Sequence, residues 1–130
     1  MIIRERYLQK IRPFYDSDLV KILTGIRRSG KSVIMAQIEA ELRAAGKPTL
    51  FLNFELRSVS AEIPDAARLV EYVASRLGPE KTYVFLDEAQ LVEDWHVACR
   101  SLRLANLSLF ITGSNARLLS KEFTRELSGR

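Results

Sequence analysis

Gly25-Ile26-Arg27-Arg28-Ser29-Gly30-Lys31-Ser32 reads G-x-x-x-x-G-K-S. The apolar run 19–24 precedes it, and behind it Ile34, Ile38, Leu42 and Ala45 recur at helical spacing. Strand, glycine-bounded turn and helix, in that order, are the context a phosphate-binding loop requires. The two glycines let backbone N–H groups curl toward phosphate oxygens with no Cβ in the way. The helix that follows adds unpaired N–H donors and the positive end of its dipole. Gly25, Ile26, Arg27, Arg28, Ser29, Gly30, Lys31, Ser32 and Val33 are therefore the expected nucleotide-binding residues. In that geometry Lys31 reaches the β- and γ-phosphates, and the Ser32 hydroxyl holds Mg²⁺.

The rest of the chain supplies the partners such a loop needs. Upstream, Tyr7, Leu8 and Ile11 have helical spacing and Pro13 closes the segment, so a short helix leads into the first strand. Downstream, Gly46 and Pro48 stop the helix that the loop opens. Residues 49–54 read as a buried strand and 55–63 as a loop. Pro64-Asp65 starts a helix with Ala66, Leu69, Val70, Val73 and Leu77 on one face, ended by Gly78-Pro79. Asp94 caps a further helix that carries Trp95, Ala98, Cys99 and Leu102. Residues 107–111 form a strand ending in Thr112-Gly113-Ser114-Asn115, and a last helix spans about 116–127. Strands alternating with helices predict an α/β fold with a mostly parallel sheet, whose ligand sits beyond the carboxyl ends of the strands.

One strand carries acids at that end. Residues 82–86 are largely apolar and run straight into Asp87 and Glu88. Asp87 stands where a carboxylate that organises Mg²⁺ belongs, and Glu88 can polarise an attacking water. An Asp alone would serve a kinase or a GTPase equally well; the second acid favours hydrolysis by giving water a base. Among Thr112, Ser114 and Asn115 at the end of the neighbouring strand, one polar side chain could sense the γ-phosphate.

Composition sets limits without choosing a function. The chain has 130 residues, 47% hydrophobic and 28% charged, enough for one domain with a sizeable core. Twenty Lys and Arg against 16 Asp and Glu give +4, which suits phosphate ligands and is compatible with nucleic acid. Cys99 is the sole cysteine, so no intrachain disulfide or cysteine-based metal site forms. No apolar run is long enough to span a bilayer, and residues 1–6 lack the apolar core of a signal peptide, so a cytoplasmic protein is expected.

In combination these segments resemble the AAA-type P-loop ATPases. The likeness is to prokaryotic members with a G-x-R-R-x-G-K-S loop, an L-D-E-x-Q segment followed by Trp, and a T-G-S-N-A-R-L-L segment ending in L-S-G-R. Here these are Gly25–Ser32, Leu86-Asp87-Glu88-Ala89-Gln90 with Trp95, and Thr112–Leu119 with Leu127-Ser128-Gly129-Arg130. The resemblance implies a three-layer α/β/α fold with sheet order 5-1-4-3-2. It also implies ATP and Mg²⁺ as ligands, Lys31 and Ser32 as Walker A residues and Asp87 and Glu88 as the Walker B pair. Ser114 or Asn115 would be the first sensor and Arg130, with Arg125 as the second choice, the arginine finger toward a neighbouring subunit, which makes a homo-oligomer the expected working form. Gln90 and Trp95 match the pattern without an assigned catalytic role. Similar chains continue past the Gly-Arg with a fifth strand, a lid and a C-terminal domain. Residues 1–130 are accordingly expected to be the ATPase core of something longer, with the loop strand left at the sheet edge.

Three functional classes remain distinguishable. The first is the ATP-binding core of an oligomeric ATPase; the second, a P-loop kinase, needs an acceptor pocket and a lid. The third is a nucleotide-gated module that binds DNA or protein through a basic surface made of Arg27, Arg28, Arg100, Arg103 and Arg117.

Overall fold

A computed structural model describes the backbone of residues 2–23 and 28–113, and within them the side chains of 5, 6, 8–23 and 33–113. The elements in chain order are α1 (Ile2–Ile11), a 3-10 turn (Arg12–Phe14), β1 (Lys21–Leu23), α2 (Arg28–Ala44) and β2 (Thr49–Asn53). There follow α3 (Arg57–Glu62), α4 (Ala66–Ala74), β3 (Thr82–Asp87), a 3-10 turn (Ala89–Leu91), α5 (Trp95–Leu102) and β4 (Leu107–Thr112). The four strands form one sheet in the order β1-β4-β3-β2, and every pairing is parallel. This is the order 1-4-3-2 within the expected 5-1-4-3-2. The last helix expected, at about 116–127, lies outside the described residues.

β3 and β4 are buried at every position, because each is paired on both edges and covered on both faces. The two-residue period of a strand then sorts their side chains into two cores. One face carries Tyr83, Phe85, Phe110 and Leu23, packed against Ile34, Met35, Ile38 and Leu42 of α2 and Leu8 and Ile11 of α1. The other carries Val84, Leu86, Leu109 and Ile111, packed against Leu69 and Val73 of α4 and Trp95, Ala98, Cys99 and Leu102 of α5. Trp95 is thus a core residue.

On the α2 face, Phe51, Phe85 and Phe110 stand side by side across three strands, with ring centroids 5.7 and 4.8 Å apart and nearly parallel planes. Tyr15 closes the row edge-on at 5.8 Å from Phe110. Such aromatic pairs contribute about 0.5–1.5 kcal/mol each beyond the area they bury.

Local chemistry accounts for the ends. Gly46 adopts φ +80, and Lys47 N–H reaches back to Leu42 O at 2.9 Å, so the glycine terminates α2 as the sequence predicts. Asp65 caps α4 by accepting from Arg68 N–H at 3.0 Å. Three expectations are corrected. Segment 55–63 is not only loop: α3 occupies Arg57–Glu62, but it buries none of its residues and so leaves no apolar period to read. Asp94 precedes α5 yet makes no side-chain capping bond, because its backbone sits in the left-handed region at φ 59. And α4 ends at Ala74, before Gly78, where Ser75 Oγ bonds back to Tyr72 O at 2.8 Å.

Candidate active site at the carboxyl ends of the parallel strands

Asp87 ends β3 and Thr112 ends β4, two adjacent central strands. Counting in twos from Phe85 and Phe110 puts both side chains on the face that α2 covers. Leu23, at the carboxyl end of β1, pairs with Thr112, and α2 begins five residues after it. The backbone of Lys31 and Ser32 forms the fourth and fifth residues of α2. Among the described residues, Asp87, Thr112 and the start of α2 thus share one end of the sheet.

A single hydroxyl ties the two acids together. Thr112 Oγ1 donates to Asp87 Oδ1 at 2.6 Å and accepts from the backbone N–H of Glu88 at 3.0 Å. Thr112 is fully buried, Asp87 is 2% exposed and Glu88 8%, so these bonds are shielded from competing water. On the other side Asp87 O accepts from Phe54 N–H at 3.0 Å, which anchors the strand end to the turn after β2.

Glu88 leaves the strand at φ 60, ψ 52. A non-glycine residue pays roughly 1–2 kcal/mol for that conformation, so it persists only where its surroundings over-determine it. Here they do. Thr112 holds its N–H, and Gln90 Nε2 donates to its side-chain Oε1 at 2.8 Å. Glu88 lies beyond the strand, so the two-residue alternation that puts Asp87 on the α2 face does not set its direction.

Of the residues assigned from sequence, the structure therefore describes Asp87 and Glu88 in full and brings them together through Thr112. Thr24, Gly25, Ile26 and Arg27 lie outside the described residues, as do Ser114, Asn115 and Arg130. For Arg28, Ser29, Gly30, Lys31 and Ser32 the described part is the helical backbone; Val33 is 37% exposed. Arg100 and Arg103 are half-buried. Sequence reasoning did not foresee that Thr112 serves both acids or that Gln90 bonds Glu88. The available signals were a threonine at the end of the neighbouring strand and an amide two residues past the acid.

Mg²⁺ keeps several waters and takes only one or two protein carboxylates or hydroxyls together with phosphate oxygens. No group of three or more His, Cys, Asp or Glu side chains able to hold a metal occurs among the described residues. Two buried carboxylates, Asp87 and Glu88, are too few for an all-protein metal cage and suit an ion that also takes substrate oxygens.

A family model described as AAA domain matches residues 17–130, from before β1 to the last residue. The chain belongs to the AAA domain family. The AAA domain is similar over its whole length to an uncharacterized protein of Haemophilus influenzae, 40% identical over 136 residues that make up 34% of that protein. An uncharacterized protein of Methanocaldococcus jannaschii is 31% identical over 112 residues, 85% of this chain and 24% of that one. The chain thus spans about a third and a quarter of these relatives' lengths. No solved structure gives a significant match. Membership makes the chain a nucleotide-binding module of ATPase type. Among the described residues no helix is long and apolar enough to cross a membrane.

Proposed function

We propose that this AAA domain binds Mg·ATP at the carboxyl ends of β1, β4 and β3, and hydrolyses it as part of a longer, oligomeric protein. The observation that supports this reading best is the Asp87–Thr112–Glu88 linkage. It presents two buried acids side by side at the end of a parallel sheet, on the flank where α2 begins.

In this reading the loop 25–32 cradles the phosphates with its amides, Lys31 pairs with the β- and γ-phosphates, and Ser32 and Asp87 are the protein oxygens for Mg²⁺. Mg²⁺ supplies charge neutralisation at the transferring phosphoryl group. Thr112 fixes the rotamer of Asp87 by donating to one oxygen. Glu88, just past the strand end, accepts the proton of the attacking water. Asn115 or Ser114 senses the γ-phosphate, and Arg130 of a neighbouring subunit neutralises the transition state, a contribution of the order of 10³–10⁵ in rate.

The test separates binding from chemistry. Lys31→Ala abolishes nucleotide binding, while Glu88→Gln keeps binding and stops turnover. Turnover of Glu88→Gln at the wild-type rate would refute Glu88 as the base. Turnover indifferent to Arg130→Ala and to dilution would refute the arginine supplied in trans.

A further inference from the structure

Gln90 has no part in the reading above, although its side chain touches the proposed base. Its backbone is held in the 3-10 turn that follows β3, where Leu91 N–H reaches Glu88 O at 3.1 Å and Val92 N–H reaches Ala89 O at 3.0 Å. Ala89 is fully buried and Val92 is 1% exposed, so the turn is pinned to the core on both sides of Gln90. From this platform Nε2 donates to Glu88 Oε1 at 2.8 Å. Only the NH₂ end of an amide can meet a carboxylate oxygen, so the chemistry of the acceptor sets the orientation of the Gln90 side chain.

We propose that Gln90 is a positioning residue for Glu88. It fixes the plane and rotamer of the carboxylate by occupying Oε1, so that the attacking water is accepted at Oε2. The inference rests on the reading of Glu88 as the base. A neutral donor suits this task. An arginine or lysine in its place would hold the carboxylate equally well but would form an ion pair and cost it basicity, whereas an amide restrains direction and leaves the charge in place. Three restraints then act on one residue: Thr112 on its N–H, the turn on its C=O and Gln90 on its side chain. Without the third, the carboxylate regains rotation about its last side-chain bonds. Misplacement of a reacting group by about 1 Å can cost of the order of 10²-fold in rate.

The experiment uses the native protein, with ATP turnover and the affinity of a fluorescent ATP analogue measured separately. Gln90→Leu lowers kcat by about ten- to a hundredfold, with KM and analogue affinity within about twofold of wild type. Gln90→Glu puts a like charge beside the base at neutral pH. Its kcat falls at least as far as that of Gln90→Leu, because the introduced carboxylate repels the base instead of holding it. Wild-type or raised kcat in Gln90→Leu overturns the proposal, as does a loss confined to KM. If Gln90→Leu does not fold, wild-type kcat in Gln90→Glu at pH 8 overturns it instead. Glu88→Gln, run in parallel, keeps the two readings apart. Wild-type turnover there removes the base itself, whereas silence there with normal Gln90→Leu removes only the positioning.

Discussion

Replacing Thr112 with valine keeps the shape of the side chain and deletes its hydroxyl, so the cost falls on two hydrogen bonds and not on a cavity. The bond to the Asp87 carboxylate, at 2.6 Å, is charge-assisted and belongs to the class that contributes about 1.5–3 kcal/mol. The bond from Glu88 N–H, at 3.0 Å, belongs to the class of about 0.5–1.5 kcal/mol. Both lie in the interior, where no water replaces the lost partner. Thr112→Val should therefore lose about 2–4 kcal/mol, a large share of the roughly 5–15 kcal/mol that holds a domain together. At about 4 °C per kcal/mol for a chain of this size, the melting temperature falls by about 8–16 °C. Trp95 is the sole tryptophan and lies 7% exposed in the core, so its fluorescence in urea reports the transition directly. Thr112→Ser is the control, because it keeps the hydroxyl and gives up only a methyl, worth about 1 kcal/mol. A Thr112→Val protein within about 0.5 kcal/mol of wild type would refute the reasoning, since that is the spread of inconsequential substitutions. A Thr112→Ser protein as unstable as Thr112→Val would refute it too, by making the methyl and not the hydroxyl the important group.

Other expectations concern the opposite end of the sheet and the helix starts. Lys21 is buried beside Ser108 Oγ at 2.7 Å and Ser17 O at 2.8 Å, and burial, reinforced by Lys81 and opposed by Asp16 and Asp18, pushes its pKa down to about 7. Between there and its ordinary 10.5 the unfolded chain holds a proton that the fold has released, so stability rises with pH across that window. Melting temperatures taken from pH 7 to pH 9 should climb, and Lys21→Met should flatten the climb; equal slopes would clear Lys21 of responsibility. Asp94→Gly should raise stability by about 0.5–1 kcal/mol, because the left-handed backbone is relieved and no capping bond is lost, as urea midpoints would reveal. Arg12 holds Glu41 and Glu5 below the usual carboxylate range, chiefly through its hydrogen bonds to them. Their contribution is present above about pH 4.5 and fades as pH drops below it, so Arg12→Gln should make acid unfolding less steep.

How far the fold could be read depended on where apolar residues had to go. α2, α4 and α5 each bury a stripe, so their periods were legible, and β3 and β4 are covered on both faces, so they read as continuous apolar runs. α3 buries no residue fully and packs only Val59 against the core, and its Arg-Ser-Val-Ser-Ala-Glu sequence has weak helical propensity, so no pattern announced it. Asp94 stands where a capping residue belongs, but residue type does not reveal φ, and a positive φ removed the cap. At the candidate site, Asp87 and Glu88 could be singled out because the apolar strand they close stands in a chain that also carries the G-x-x-x-x-G-K-S loop. The shared hydroxyl of Thr112 depends on the register between β3 and β4, which is decided by packing across 25 residues of chain. Gln90 stands only two residues from Glu88, but its bond depends on the left-handed turn between them, and nothing in the residue types forecasts that turn.

The ring row of Phe51, Phe85 and Phe110 has a bearing on chemistry that none of its atoms takes part in. Two residues beyond each ring, on the same face, come Asn53, Asp87 and Thr112. Flat plates sliding into register set a lateral gauge for the strands, and the polar tips one step farther along are spaced by that gauge. A leucine in place of any ring would keep the core greasy and yet let the gauge slip, so an apolar exchange would register first as lost alignment of these polar tips.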